Sequence, residues 1–571
     1  MKNRWNIKPD GDPLIVGKLS QELNVKKSIA NMLVQRGITS FNQAKEFFRP
    51  SLENLHDPFL MKDMDKAVNR LNHALNNNER ILIYGDYDVD GTTSVALVYS
   101  FLREIHQNID FYIPDRYAEG YGISFKSIDY AFENNIELVI ALDCGIKAND
   151  KIAYANGKNI DFIICDHHTP GDEIPAAIAV LDPKRVDCSY PFKELSGCGV
   201  GFKFLQAISI DKKLPIDKLW EYLDLVVVSI ASDIVAITGE NRILASFGLK
   251  ILNESPRMGL QAMIKIASLD GREITISDVV FKIGPRINAA GRIESGRSAV
   301  KLLIEENEEF AADLCNKINV HNETRQGLDR NITQEALGMV DSDIMLQNKK
   351  STVLFNKSWH KGVIGIVASR LIESYYRPTV ILTESMGFAT GSARSVDGFD
   401  LYGAVDYCSD LLESFGGHKH AAGLTMKLEN LDKFIAKFEK FVSETITVEQ
   451  LVPKINIDER IDFAEITPQF FRIMNQFAPF GPGNMSPIYV TEHVRDAGYS
   501  RVVGKTEEHI KLDMVDTQNS KQQGIGFFLS NLFQFVKDGK PFNVCYSIEE
   551  NEFNGKVSLQ LKIRDIQVDG E

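Results

Sequence analysis

The sequence is short of paired cysteines, of long apolar runs and of positive charge. Its seven cysteines are scattered over 571 residues, and no two form a C-x-x-C pair. That argues against a disulfide framework and a zinc–thiolate site, and for a reducing cytoplasm. No apolar run reaches the length of a membrane span, and the amino terminus, MKNRWNIKPDGDP, lacks a signal-peptide pattern. The net charge is −14. A chain that is basic throughout is thereby excluded, although a local basic groove on an acidic body is not. What remains is ordinary globular material, 44% hydrophobic and 25% charged, with a length that suits roughly three to five domains.

The stretch that carries most chemistry is ILIYGDYDVDGTTS, residues 81–94. A short apolar run reads as a buried strand. Asp86, Asp88 and Asp90 follow at every second position, Gly91 breaks the run, and Thr92, Thr93 and Ser94 suit the start of a helix. Three acids on a strand-to-helix turn repel one another unless a cation neutralises them. Hard oxygen ligands suit Mg²⁺ or Mn²⁺. A calcium loop of the EF-hand type needs a Glu at its twelfth position, which here is Leu97. DVDGTT also resembles the first motif of haloacid dehalogenase-like phosphatases, which does not predict the Asp-His-His found downstream.

From residue 81 to about 240, strand and helix alternate, the signature of a parallel doubly wound sheet. Polar residues cluster where strands end. LVIAL runs into Asp143, FIIC into Asp166-His167-His168, and the helical LWEYLDLVVVSIA into Asp233. Each alone reads as a cap or a surface residue. Together, Asp86, Asp88, Asp90, Asp143, His167 and Asp233 supply the oxygen and nitrogen ligands that two divalent ions require.

Residues 1 to about 60 read as helical, and residues 243 to about 345 as helices ending in one long helix with a solvated charged face. A second α/β lobe spans 350–445. In it, the small-residue strand GFATGSARS ends at Arg394, and a helix, DLLESF, runs into Gly416-Gly417-His418. Small residues let a backbone approach a phosphate, and Arg grips one bidentately. Five β-rich runs after residue 450 fit an OB-type barrel, a common platform for single strands, with Arg501, Lys505 and Lys511 as backbone contacts.

Residues 84–243 resemble the DHH phosphoesterase superfamily, named for the triplet at Asp166-His167-His168. PDRYAEGYGI, LDCGI, ICDHHTPG, LDPKR, SGCGVGFKF, SDIVAITGENR, GPRINAAGRI, GSARSVDGFDL, FGGHKHAAG and FAPFGPGNMSPIY, in that order, are similar to its single-strand-specific exonuclease branch. The resemblance implies a parallel-sheet DHH lobe over 61–245 and a helical connector over 246–345. A smaller α/β DHH-associated lobe over 346–447 and an OB-fold over 448–571 would follow, behind a helical segment over 1–60. It implies two Mn²⁺ or Mg²⁺ ions, with Asp143 bridging them and His168 contacting the scissile phosphate or protonating the leaving oxygen. Arg116, Ser392 and Arg394 match positions that hold a 5′ phosphate end. The resemblance implies that Arg286, Arg292, Gly416, Gly417 and His418 are further substrate contacts.

The expected activity is a 5′-to-3′ exonuclease that degrades single-stranded DNA to 5′ mononucleotides in recombination and repair. A helicase and a single-strand-binding protein are the partners the resemblance implies, with no membrane. One alternative is a phosphodiesterase acting on short oligonucleotides or cyclic dinucleotides. Another is a non-catalytic scaffold for single strands, which would be free to lose the metal carboxylates that are all present here.

Overall fold

The computed structural model describes residues 3–537, 539–553 and 555–568. The first lobe is built on five parallel strands in the spatial order Ile109–Tyr112, Ile81–Gly85, Leu138–Leu142, Asp161–Cys165, Ala179–Leu181. Period-two alternation explains why both faces are covered. Leu138, Ile140 and Leu142 enter a large core with the helices Val89–Arg103 and Gly197–Asp211, while Val139 and Ala141 enter a smaller one with Ile128, Ala131 and Ile152. Numbered along the chain, the strands lie in the order 2-1-3-4-5. The direction of winding reverses beside the first strand, so the crevice at its carboxyl end lies between Asp86 and Asp143. The alternating pattern in the sequence predicts this α/β architecture correctly.

The helix Glu308–Asp341 has 34 residues, which at 1.5 Å per residue is about 50 Å. Its first half buries Ala311, Cys315 and Ile318 in the first lobe's core, and its second half buries Ile332, Ala336 and Val340 against the second lobe. One rigid element thus joins the two cores. The solvated face expected for it is incomplete, because Asn322 and Asp329 are also buried.

The second lobe has the strand order Ser414–His418, Ala421–Lys427, Phe388–Arg394, Thr379–Ser385, Thr352–Phe355; the last two are parallel and the other pairs antiparallel. The expected helix DLLESF is not formed. A single turn, Ser409–Leu411, precedes an edge strand that contains Gly416, Gly417 and His418. Gly417 has φ +146°, and a Cβ there would lie 2.3 Å from the Ala421 carbonyl, so cross-strand geometry at this edge requires glycine.

The five runs after residue 450 form a closed barrel. Tyr489–Asp496 pairs with both His509–Val515 and Phe542–Phe553, and Lys521–Gly526 runs parallel to Lys556–Val568. That is the strand connectivity of an OB-fold. The amino-terminal segment is not wholly helical and does not stand apart. Arg4–Ile7 is a strand paired with Lys454–Ile457. Val16, Leu19, Ile29, Met32, Leu33 and Ala44 share one core with Phe463, Phe470 and Tyr489 of the barrel region. Arg242 ties this body to the first lobe. It donates to the carbonyls of Phe47, Phe477 and Ala478 at 3.0, 2.8 and 2.9 Å and sits 3.8 Å above the Phe47 ring. Among the described residues, no helix is long and apolar enough to cross a membrane.

Candidate metal centre and phosphate cluster

The acids of the first strand-to-helix turn are held differently from one another. Asp88 caps the helix Val89–Arg103 by accepting from the Gly91 N–H at 3.0 Å. Asp90 accepts from the Gly197 and Cys198 N–H groups at 2.7 and 2.8 Å, at the start of the helix Gly197–Asp211, and from Ser229 Oγ at 2.7 Å. Asp86 is fully buried; one oxygen accepts from Gly122 N–H at 3.3 Å and the other has no partner. Gly91 is required here because a Cβ would lie 2.3 Å from the Asp86 carbonyl oxygen. Gly197 is required because a Cβ would lie 2.7 Å from Asp143 Oδ1.

Asp143 and His167 form the centre of the site. The His167 Nδ1–H donates to the Leu195 carbonyl at 3.1 Å, which leaves Nε2 as a bare acceptor. That nitrogen lies 3.2 Å from Asp143 Oδ1, 3.6 Å from Asp233 Oδ2 and 3.7 Å from Asp90 Oδ2. His167 Nε2 and Asp143 Oδ1 are both buried and neither has a hydrogen-bond donor. Protonation of the imidazole would satisfy the contact, but burial lowers the His167 pKa against the pull of Asp90. Acceptors facing acceptors in a buried space fit a cation. Two overlapping sets of ligand atoms, Asp143-His167-His168 and Asp90-His167-Asp233, each lie within 4.8 Å of one another. His167, not Asp143, is common to both. Asp86 and Asp88 belong to neither set.

Burial pushes the Asp143 carboxyl well above its ordinary range, and Asp90, Asp88 and Asp233 add to the effect. Burial, with Asp88, does the same to Asp86. Burial, Asp90 and Asp88 raise Asp233 to about 8. In the folded protein these acids keep protons that the unfolded chain releases near 3.8. Their contribution to stability is present below that value and is lost as pH rises through each raised pKa, about 8 for Asp233. His167 works in the opposite direction, but as one group against four, since burial and Asp90 raise Asp88 as well. In EDTA the melting temperature should therefore fall between pH 5 and 8, and Mn²⁺ should raise it by an increment that grows with pH. Calorimetry at three pH values checks this. A metal-independent, flat profile would contradict the cation reading.

His168 is arranged for another task. Its Nδ1–H donates to Asp166 Oδ1 at 2.7 Å, and Nε2 lies 3.1 Å from the Tyr121 hydroxyl. Burial disfavours the imidazolium, but the Asp166 hydrogen bond and charge outweigh it and lift His168 to about 9. Burial also opposes the Asp166 charge, yet His168 and the N–H groups of Ile146, His167 and His168 hold that carboxylate down to about 2. The orienting role of Asp166 was not separable in the sequence from that of its two neighbours. Tyr121 was missed because its partners, His168 and the Asp143 carbonyl, are distant in the chain.

A second cluster is cationic. Arg394 and Ser392 extend from one face of the strand Phe388–Arg394; Arg394 donates to Ser392 Oγ at 2.9 Å. Burial and nearby Arg116 lower the Arg394 pKa. Arg116 itself lies 4.7 Å over the Tyr87 ring. Arg292 donates to the Gly362 carbonyl at 2.8 Å; burial, with Arg116, Arg325 and Arg394, pushes it down to about 10. Arginines this close resist one another and fit a polyanion. Arg286 is tied to Asn319 and the Lys282 carbonyl, and it neighbours Arg325. Arg325 was not foreseen. It lies on the linking helix, and its Nε is buried without a partner. Gly416, Gly417 and His418 do not join either cluster. They are exposed and line a separate hollow of about 450 Å³ with Lys147, Asp400 and Tyr402.

Acids and a histidine at the ends of parallel strands, faced by a second lobe that contributes Arg394 to a half-buried arginine cluster, define a phosphoesterase of the DHH class. Comparison with known proteins agrees: the DHH family N-terminal domain matches residues 80–230, the DHHA1 domain 348–444 and the RecJ OB domain 457–565. The chain belongs to the RecJ family of single-stranded-DNA-specific exonucleases. It is 36% identical to the single-stranded-DNA-specific exonuclease RecJ of Bacillus subtilis, over 99% of this chain and 71% of that protein. It is 31% identical to RecJ of Escherichia coli, over 89% of this chain and 90% of that one. Its fold matches RecJ of Thermus thermophilus in complex with Mn²⁺, with a TM-score of 0.84, 26% identity, and 100% and 80% of the two chains covered.

Proposed function

We propose that this chain is a metal-dependent exonuclease that removes 5′ mononucleotides from the 5′ end of single-stranded DNA. The observation that carries the reading is the buried His167 Nε2 facing three carboxylates, beside a half-buried arginine cluster contributed by both lobes. Asp88, Asp90, Asp143, His167 and Asp233, with Asp86 behind them, would hold two divalent ions of the Mn²⁺ or Mg²⁺ kind. Such ions supply a nucleophilic water at neutral pH and neutralise charge on the phosphoryl oxygens. The chain's own residues do the rest. Arg394, Ser392 and Arg116 grip the terminal 5′ phosphate and so fix the scissile bond at a set distance from the end. Arg292 and Arg286 hold phosphates beyond it. His168, kept cationic by Asp166, gives a proton to the 3′ oxygen as it leaves. We place the enzyme in the cytoplasm, in recombination and repair, with all seven cysteines free and buried. A helicase or a single-strand-binding protein would present its substrate.

A terminal phosphate carries more charge than an internal one, and this difference gives the test. Arg394→Ala should lower kcat/KM on 5′-phosphorylated single strands roughly 10- to 150-fold, the equivalent of about 1.5–3 kcal/mol for a charge-assisted hydrogen bond. On 5′-hydroxyl strands the loss should be much smaller. Strands labelled at the 3′ end report the direction in the same assay. An identical loss on both substrates would refute the anchor, and digestion from the 3′ end would overturn the polarity.

A further inference from the structure

The metal turn and the phosphate cluster are joined by a train of short contacts. The first joint is at Tyr87, between Asp86 and Asp88. The helix Gly284–Ile293 packs on it so closely that a Cβ on Gly291 would lie 2.5 Å from the Tyr87 carbonyl oxygen. The next residue, Arg292, makes the second joint in two ways. Its carbonyl is among the last four of that helix, which helical pairing leaves open. It accepts from the Tyr117 hydroxyl at 2.5 Å. The Arg292 guanidinium donates to the Gly362 carbonyl of the second lobe at 2.8 Å. The third joint lies three residues on, where a Cβ on Gly365 would come within 2.9 Å of Ser392 Oγ and 3.0 Å of Arg394 Nη2.

Tyr117 is held for this contact at both ends. The N–H groups of Tyr117 and Ala118 donate to Asp115 Oδ1 at 2.8 and 2.7 Å, which fixes the backbone just after Arg116. The Tyr117 ring meets the His360 ring edge-on at 6.4 Å, and His360 Nδ1 accepts from the Gly362 N–H at 3.1 Å. Gly362 is buried among these groups. A Cβ there would lie 2.7 Å from the Tyr117 hydroxyl oxygen, 3.0 Å from the Arg292 carbonyl oxygen and 3.0 Å from the His360 ring. The lobes do not need these bonds to stay together, because the helix Glu308–Asp341 already buries side chains in the cores of both. What the contacts add is register.

We propose that the helix Gly284–Ile293, locked by Tyr117 and Gly362, is a ruler that sets the separation between the metal centre and the terminal-phosphate cluster. Tyr117, Gly291 and Gly362 are positioning residues that act through this spacing and not by touching the strand. The proposal rests on the reading that Arg394, Ser392 and Arg116 grip the 5′ phosphate, and it names what keeps that grip in register with the metal ligands. A long side chain at a joint would flex. A glycine packed on a carbonyl does not, so close packing passes any displacement along the train. The scissile phosphate must be placed closely, and a misplacement of about 1 Å costs on the order of 100-fold in rate. A strand anchored by its 5′ phosphate meets an error in the ruler in full. A 5′-hydroxyl strand is not anchored and settles at the metal centre regardless.

The test uses the full chain and short thymidine strands that carry a 5′ phosphate or a 5′ hydroxyl. Single-turnover rates are measured with Mn²⁺, and affinities with Ca²⁺ in its place. Gly291→Ala and Gly362→Ala should each slow cleavage of the phosphorylated strand roughly 10- to 100-fold, and of the hydroxyl strand by less than about threefold. Affinity for both strands should stay within about threefold of wild type, so the binding advantage of the 5′ phosphate survives while its advantage in rate is lost. Tyr117→Phe supplies the rescue. Added to Gly362→Ala, it removes the hydroxyl that the new Cβ would meet at 2.7 Å, and part of the lost rate should return. If Gly291→Ala does not fold, the Gly362→Ala and Tyr117→Phe pair decides the matter alone. Equal slowing of the two strands would overturn the ruler, as would the absence of any rescue. A loss that appears in affinity and not in rate would also overturn it, and would make Gly362 part of the phosphate grip. A wild type that does not distinguish the two strands would refute the anchor itself, and the ruler with it.

Discussion

Replacing Asp143 by asparagine should abolish cleavage and, in the absence of divalent metal, make the protein more stable. The Asp143 carboxyl is 2% exposed, its Oδ1 has no donor, and Asp90, Asp88 and Asp233 crowd it. A charge so placed costs free energy until a cation arrives. An asparagine amide turned toward His167 Nε2, 3.2 Å from Oδ1, would supply at every pH the donor that the carboxyl offers only by keeping its proton. Satisfying a buried pair in this way should add on the order of 1 kcal/mol or more. Asparagine is the cleaner substitution because Asp143 has φ +58°, a conformation that Asn tolerates and Ala adopts at a cost of roughly 1–2 kcal/mol. Two measurements are needed. Substantial turnover by folded Asp143→Asn in excess Mn²⁺ would sink the metal assignment. A lower melting temperature than wild type in EDTA would sink the account of crowded acids.

A design choice follows from the packing of the amino terminus. Deleting residues 450–571 is not a clean way to ask what the barrel does. Val16, Leu19, Ile29, Met32 and Leu33 bury their side chains in the barrel's own core, and the strand Arg4–Ile7 would lose its partner. Substitutions on the barrel's outer face leave that core intact.

What could be read in the sequence was what is local in it. Each strand of the first sheet announced itself as an apolar run, and each chemical residue sat at the run's end, because a parallel sheet sends its strand ends to one crevice. Asp143 and His167, at the ends of neighbouring strands, are therefore legible together in the sequence, while Asp86, also at a strand end, stands outside both sets of converging ligand atoms. Residues whose role depends on partners far along the chain were not. Arg325 looked like one more solvated charge on a long helix, yet burial and the proximity of Arg292 set it apart. Helical spacing in residues 13–48 predicted the helices but not the barrel they cover. Gly416 and Gly417 suggested a turn after a helix. Pairing with Ala421–Lys427 makes them an edge strand instead, a choice set by cross-strand hydrogen bonds that no local signal encodes.

The adjacent histidines should separate by function. His167→Ala should remove both activity and the rise in melting temperature caused by Mn²⁺, since its Nε2 faces all three acids. His168→Ala should lower kcat by about 10²- to 10⁴-fold, the usual worth of a positioned general acid, while keeping most of the Mn²⁺ effect. The fold should tolerate the change, because Asp166 still accepts from the N–H groups of Ile146, His167 and residue 168. Changing the leaving atom isolates the proton transfer. In a strand whose scissile 3′ oxygen is replaced by sulfur, the departing thiolate needs no proton, so the deficit of His168→Ala should shrink to within about tenfold of wild type. The deficit of His167→Ala should not shrink at all. Asp166→Asn should fall between wild type and His168→Ala, because the imidazolium loses the carboxylate that lifts its pKa to about 9. Loss of the Mn²⁺ effect in His168→Ala would make that histidine a ligand, as its place in the Asp143-His167-His168 set permits. An undiminished deficit on the sulfur-containing strand would reassign it from proton donor to phosphate contact.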